Sequence, residues 1–136
     1  MIHLDTNVAI ALLNGRRSRV RKQFNSARLA GTQLGLSMIV YHELIYGAAY
    51  SERRAANENK IALFLAAGSL ELIPFEQADA REAADIRAYL RRQATPIGPY
   101  DVLIAGQARR AGAPLVTANS EEFQRVPGLI VMDWAV

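Results

Sequence analysis

The chain has 136 residues, 51% of them hydrophobic and 21% charged, with 16 Lys and Arg against 13 Asp and Glu for a net charge of +3. That length predicts a single domain over residues 1–136 with one core, and the usage is that of a globular protein, not of a disordered or fibrous one. The lack of cysteine excludes disulfide frameworks, thiolate metal sites and cysteine nucleophiles, while the lack of a secretory pattern or of an apolar run near the roughly 20 residues that cross a bilayer predicts a cytoplasmic protein with no membrane contact.

Ile2 and Leu4 predict a first short strand, and the apolar run Val8 to Leu13 predicts a helix beginning where that strand stops. Asp5 stands at the junction, where it or Thr6 is placed to cap the helix. Gly15 breaks the pattern, and a basic helix is expected from about Ser18 to Leu29, before Gly31. Leu34 to Ser37 read as strand two. Met38 to Tyr50 and roughly Arg53 to Ala67 read as Ala-rich helices, the second stopped by Gly68. Leu70, Leu72 and Ile73 predict strand three, closed by Pro74, and a long helix from about Gln77 to Gln93 carries Arg81, Asp85, Arg87 and Arg91 on a mixed-charge outer face. The loop from Ala94 to Tyr100, with Pro96, Gly98 and Pro99, is the clearest break. Asp101 opens the next helix, to about Ala111; Leu115 to Thr117 predict strand four, Ser120 to Gln124 a short turn of helix, and Leu129 to Met132 strand five. Short apolar strands alternating with helices indicate an α/β fold, a three-layer α/β/α sandwich with a mainly parallel central sheet of about five strands.

In open sheets of this kind, ligands bind beyond the carboxyl ends of the strands. Asp5 follows strand one, Glu43 lies in the first turns of the helix after strand two, Asn119 follows strand four, and Asp101 opens a helix that feeds strand four. Four oxygen-bearing side chains are therefore candidates for one edge. The ordinary alternatives are helix caps for Asp5 and Asp101, a surface position for Glu43 and a turn for Asn119. Glu43 lies among Val40, Leu44 and Ile45, and Asp101 precedes Val102, Leu103 and Ile104, so both acids fall in stretches that read as largely buried. A buried carboxylate requires a compensating partner. A distant Arg meets that need for one acid; a divalent cation with hard oxygen ligands, Mg²⁺ or Mn²⁺, meets it for several. With only His3 and His42 and no cysteine, a structural zinc site is not expected.

Fourteen of the 16 basic residues are Arg, and Arg16, Arg17, Arg19, Arg21, Lys22 and Arg28 fall in the first 30 residues, where Asp5 is the only acid. The guanidinium fork suits phosphate, which makes this segment, with Arg16, Arg17 and Arg19, a candidate contact to a nucleic-acid backbone; a solvated helix face is the alternative. Several competing chemistries fail on the same residues. The usual nucleotide-binding glycine loops are missing, Asn7 stands where a haloacid-dehalogenase-type phosphatase has a second carboxylate, the only lysines, Lys22 and Lys60, do not supply the late Lys of a receiver domain, and Ser37 lacks a base and orienter.

L-D-T-N at 4–7, H-E-L-x-x-G-A at 42–48, I-G-P-Y-D-V-L-I-A at 97–105, L-V-T-A-N-S-x-E-F at 115–123 and V-P-G-L at 126–129 together resemble the PIN-domain toxins of the VapC type, in order and in spacing, from the first strand to the last. The resemblance implies a PIN-like sandwich and a Mg²⁺- or Mn²⁺-dependent endoribonuclease from a toxin–antitoxin pair. It carries the metal-binding acids over to Asp5, Glu43 and Asp101, and the pocket-lining polar positions to Asn7 and Thr117. Where many relatives have an Asp, this chain has Asn119, which weakens a second metal position; Glu122, three residues on, is the substitute donor. It further implies a VapB-like antitoxin laid over the site, a homodimer and a toxin–antitoxin hetero-oligomer, with the Ala-rich helices from Val40 to Ala67 as interfaces or, equally, as core. A non-catalytic RNA- or protein-binding module with a structural acidic cluster, and a structure-specific DNA nuclease, are the alternatives; the first predicts binding that survives EDTA and no cleavage.

Overall fold

The computed structural model describes residues 1–15, 18–68 and 70–136. Arg16 and Arg17, two of the three arginines assigned to RNA, lie outside the described residues. Twelve elements follow in chain order: β1 (Ile2–Leu4), α1 (Thr6–Asn14), α2 (Ser18–Leu29), β2 (Leu34–Ser37), α3 (Met38–Tyr50), α4 (Arg54–Ala67), β3 (Leu70–Ile73), α5 (Gln77–Arg92), α6 (Pro99–Arg110), β4 (Leu115–Val116), α7 (Ser120–Phe123) and β5 (Val131–Met132).

Local chemistry sets the boundaries. Asp5 caps α1 by accepting the Thr6 N–H at 2.8 Å, and Gly15 ends it in a left-handed conformation with φ 63°. The Ser37 hydroxyl caps α3 by accepting the Ile39 N–H at 3.0 Å. Helix α6 begins at Pro99, two residues before the predicted start, because proline at a first helical position loses no hydrogen bond and brings its φ already set. Asp101 therefore sits inside the first turn and is not the cap, a place that Gly98 takes.

The five strands are all parallel, in the order β3-β2-β1-β4-β5. From β1 the chain steps to β2 and β3 on one side, then crosses back to β4 and β5 on the other. Right-handed crossovers with a reversal of direction place α1–α4 on one face and α5–α7 on the opposite face, in line with the packing of α1 on α2, α3 and α4 and of α5 on α6. Leu4, Leu36, Leu115 and Val116 of the sheet are fully buried between these layers, with Ala9 and Val40 from one set of helices and Ile86, Ile104 and Ala105 from the other. Helices α5 and α6 approach so closely at Gly106 that a Cβ there would lie 2.7 Å from the Ala83 backbone.

The reversal leaves β1 and β4 adjacent at a switch point, the place where a crevice opens beyond the strand ends. The Asp5 N–H continues the ladder to the Val116 carbonyl at 2.9 Å, so Asp5 and Thr117 leave the sheet side by side.

Candidate active site

Asp5 is 3% exposed and uses its two carboxylate oxygens differently. Oδ1 takes the Thr6 N–H, and Oδ2 accepts the hydroxyl of the fully buried Thr117 at 2.8 Å. The cap reading and the site reading of Asp5 thus hold together, one oxygen to each. Thr117 in turn accepts the Asn119 N–H at 2.9 Å, which fixes the turn after β4. Asn7, exposed on the first turn of α1, accepts the Ala118 N–H at 3.2 Å and ties that helix to the same turn.

Glu43 comes from α3 and is half-buried; its Oε1 accepts the Thr6 hydroxyl at 2.9 Å. Asp101, also half-buried, comes from the far face of the sheet, and its Oδ2 lies over the Cα of Gly98, where a Cβ would meet it at 2.9 Å. Asn119 donates its side-chain amide to Glu122 Oε2 at 2.8 Å.

Electrostatics bring the acids together. Burial pushes the Asp5 carboxyl above the ordinary carboxylate range, against the pull of its bonds from Thr117 and Thr6, and the Glu43 charge adds to the rise. Glu43 is raised by burial and by Asp101, with the Thr6 hydroxyl opposing. Asp101 is raised to about 6, by burial first and then by Asp5 and Glu122. Asp5 at the start of α1, Glu43 of α3 and Asp101 of α6 therefore act on one another across the switch point, and Glu122 of α7 acts on Asp101. Among the described residues none of the four has an ion-pair partner, since the ion pairs are Arg54–Glu58, Arg109–Glu82 and Arg110–Asp79. The basic helix α2 supplies none: Arg21 and Arg28 donate to the carbonyls of Leu12 and Ala67, and Arg19 is exposed.

An oxygen-only donor set with no ion-pair partner among the described residues, and only the neighbouring His42 opposing the rise at Glu43, fits a hard divalent cation. No three His, Asp or Glu side chains among the described residues form a ready-made cage. That suits Mg²⁺, which is held by one or two carboxylates and completes its shell with water and substrate phosphate. The hydrogen bonds to Asp5 and Glu43 leave lone pairs free on both carboxylates.

Sequence reasoning placed Asp5, Glu43, Asp101, Asn119, Asn7, Thr117 and Glu122 in this region. It missed the role of Thr6, whose hydroxyl joins α1 to Glu43, and an aromatic wall beside Glu43 formed by His42, Tyr46 and Tyr100. A signal for the wall was present: His42 and Tyr46 flank Glu43 at helical spacing on α3. It also missed the buried Asp79, which accepts the Glu76 N–H at the start of α5 and pairs with Arg110 of α6.

The parallel sheet with acids beyond its switch point is an open α/β fold with its ligand edge at β1 and β4, and the PIN-domain family model matches residues 2–129; the chain belongs to the PIN-domain family. Within it, the chain is 38% identical to the tRNA(fMet)-specific endonuclease VapC of Shigella flexneri over 132 residues, 97% of this chain and 96% of that protein. Among solved structures it superposes with a TM-score of 0.90 and 32% identity on VapBC2 from Rickettsia felis bound to a DNA fragment from its promoter, covering 98% of this chain and 99% of that one. Against DNA-bound VapBC from Salmonella typhimurium the TM-score is 0.88 at 36% identity, with 98% and 99% covered. No helix of the described residues is long and apolar enough to cross a membrane.

Proposed function

We propose that the chain is a VapC-type endoribonuclease, the toxin of a toxin–antitoxin pair, that hydrolyses RNA phosphodiester bonds with Mg²⁺ or Mn²⁺ held by Asp5, Glu43 and Asp101. The observation that carries this reading is that three carboxyl groups from three elements act on one another, each raised first by burial and then by a neighbouring acid, and that among the described residues none of them has an ion-pair partner. A divalent cation bound there supplies stabilisation of the charge that builds on the phosphate and acidifies the attacking water.

The chain's own groups then have separate tasks. Thr117 and the Thr6 N–H hold the Asp5 carboxylate in one orientation, and the Thr6 hydroxyl holds Glu43. Asp101 is half-exposed, and burial, Asp5 and Glu122 raise its carboxyl to about 6, which suits it to orient the attacking water. The Asn119 amide holds Glu122 at the rim, and Asn7 fixes the turn that carries both. Arg19, with Arg16 and Arg17 before it in the sequence, is the proposed grip on the RNA backbone. The named relatives support initiator tRNA as the first substrate to test and a VapB-like antitoxin as partner. Tyr46 and Leu63, 61% and 62% exposed on α3 and α4, are available to an antitoxin or to a second copy.

The test is incubation of the purified protein with tRNA and total RNA in Mg²⁺, in Mn²⁺ and in EDTA, followed by mapping of new 5′ ends. Cleavage that needs the cation and disappears in Asp5→Asn and Asp101→Asn supports the assignment. Cleavage that persists in EDTA, or in either variant, overturns it; tight RNA binding without cleavage in any buffer establishes the binding-module reading instead.

A further inference from the structure

A cavity of about 550 Å³ adjoins the acidic site and shares Thr6 and Glu43 with it. We propose that this cavity, walled by His42, Tyr46 and Tyr100 over Ile10, seats an unstacked nucleobase of the RNA strand beside the scissile phosphate. The proposal rests on the endoribonuclease reading and deepens it, by assigning the substrate a single-stranded segment with a base turned out.

The walls come from three elements. Helix α1 gives Thr6 and Ile10, α3 gives His42 and Tyr46, and the first turn of α6 gives Tyr100. The His42 and Tyr100 rings stand 5.6 Å apart at 49°, an open angle, and Tyr46 continues into a parallel stack with Tyr50 at 6.1 Å and 9°. Tyr46 is 61% exposed, Tyr100 48% and Tyr50 82%, and none of the three phenols makes a hydrogen bond among the described residues. Rings of this size ordinarily cover much of their surface in a core or interface. Here they stand at the mouth of the site with faces and polar edges free.

A nucleobase matches that surface better than an aliphatic or charged group. It presents a flat π-face to the tyrosines and the imidazole, and hydrogen-bonding edges to the phenols and Thr6. It carries no charge against Glu43, the single acid in the wall. Because Glu43 lines the cavity and Thr6, which follows Asp5, forms part of its wall, a base seated in it puts its own phosphate beside the carboxylates. Sequence-selective RNA recognition works in this way, with bases from loops splayed onto aromatic side chains. The same rings on an antitoxin peptide or a second copy would be a protein interface, and the test separates these.

The substrate is a short RNA spanning the mapped cleavage site, with matched RNAs in which each nucleotide next to the cut is in turn abasic. Wild-type cleavage of the intact RNA, lost in EDTA, tests the endoribonuclease reading by itself. If the cavity seats a base, Tyr100→Ala and Tyr46→Ala lower kcat/KM on intact RNA by about 10- to 100-fold, the range for one lost base–aromatic stack. Tyr100→Trp and Tyr46→Phe keep most of the activity. One of the abasic RNAs is cut equally slowly by wild type and by the alanine variants. Loss of the same size on intact and abasic RNA, no loss at all, or loss confined to antitoxin binding or to the oligomeric state overturns the proposal. Should the wild-type protein leave RNA uncut, the endoribonuclease reading fails, and the cavity is tested by titration with a short single-stranded RNA carrying 2-aminopurine: quenching that Tyr100→Ala abolishes supports it, and unchanged fluorescence overturns it.

Discussion

Asp101→Asn makes the electrostatic account of the site measurable without RNA. The carboxyl binds its proton in the folded protein with a pKa of about 6, against 3.8 for an ordinary Asp. The folded state therefore takes up the proton before the unfolded chain does as pH falls. Stability rises as pH drops from above 6 towards 4 and is unaffected by this group below 4. A shift of that size corresponds to a ceiling of about 3 kcal/mol at 1.4 kcal/mol per unit. Asp101 is half-exposed, and solvent screening reduces this to about 1 kcal/mol. Asn mimics the protonated carboxyl, so in EDTA at pH 8 the variant should melt about 4 °C above wild type, on the scale of a chain of this length. At pH 4 and below, most of that difference should be gone. Adding Mg²⁺ or Mn²⁺ at pH 8 should raise the wild-type melting temperature and leave the variant nearly unchanged. Differential scanning fluorimetry or calorimetry reads all three arms. A variant that melts below wild type at pH 8, or differs from it equally at both pH values, would refute the reasoning, because charge repulsion at Asp101 would then not be what the fold tolerates for the sake of the site.

Thr117→Val leaves both Asp5 Oδ2 and the Asn119 N–H without a partner, and chemical denaturation should show a loss of about 2–3 kcal/mol, which Thr117→Ser largely restores. Thr6→Val frees Glu43 while keeping a β-branched residue at the start of α1; RNA cleavage should fall about tenfold, equivalent to about 1.4 kcal/mol, with little change in melting temperature. Gly106→Ala forces a methyl against the Ala83 backbone 2.7 Å away; overpacking should cost about 1–3 kcal/mol despite the better helix propensity of Ala, and a melting temperature at or above wild type would contradict the close α5–α6 contact.

Most of the fold was legible because its signals are local. Glycines at 15, 31 and 68, proline at 74 and apolar runs of strand length mark where elements begin and end, and β2, α2 and α3 have the predicted bounds. The convergence of Asp5, Glu43 and Asp101 was legible from topology, since each follows or feeds a strand at one edge of a parallel sheet. What escaped depends on which side chains meet once helices pack. Thr6 reads as an ordinary first-turn residue; only the angle between α1 and α3 turns its hydroxyl to Glu43. Asp79 reads as an acid in the first turn of α5, where the helix dipole favours one. Its burial follows from lying in phase with Ala83, Ile86 and Leu90 on the apolar stripe, and its partner Arg110 is 31 residues away on α6. An acid in phase with a buried stripe is the sequence signal that would have found it.

Asn119 shows how the cluster limits its own charge. An Asp in its place would set a further carboxylate next to Glu122, which already raises Asp101, and would add repulsion where three acids are already held above their ordinary proton affinity. The neutral amide instead donates to Glu122 Oε2 at 2.8 Å, removing one negative charge and fixing the direction of another. Its backbone N–H rests on the Thr117 hydroxyl, which also holds Asp5, so the turn after β4 supports a carboxylate on each side of the switch point through one buried threonine. The same threonine couples the two ends of the cluster: moving Asn119 alters the hydrogen bond that sets Asp5. A neutral amide at 119 thus orients the neighbouring Glu122 from within the turn itself, with no other element needed.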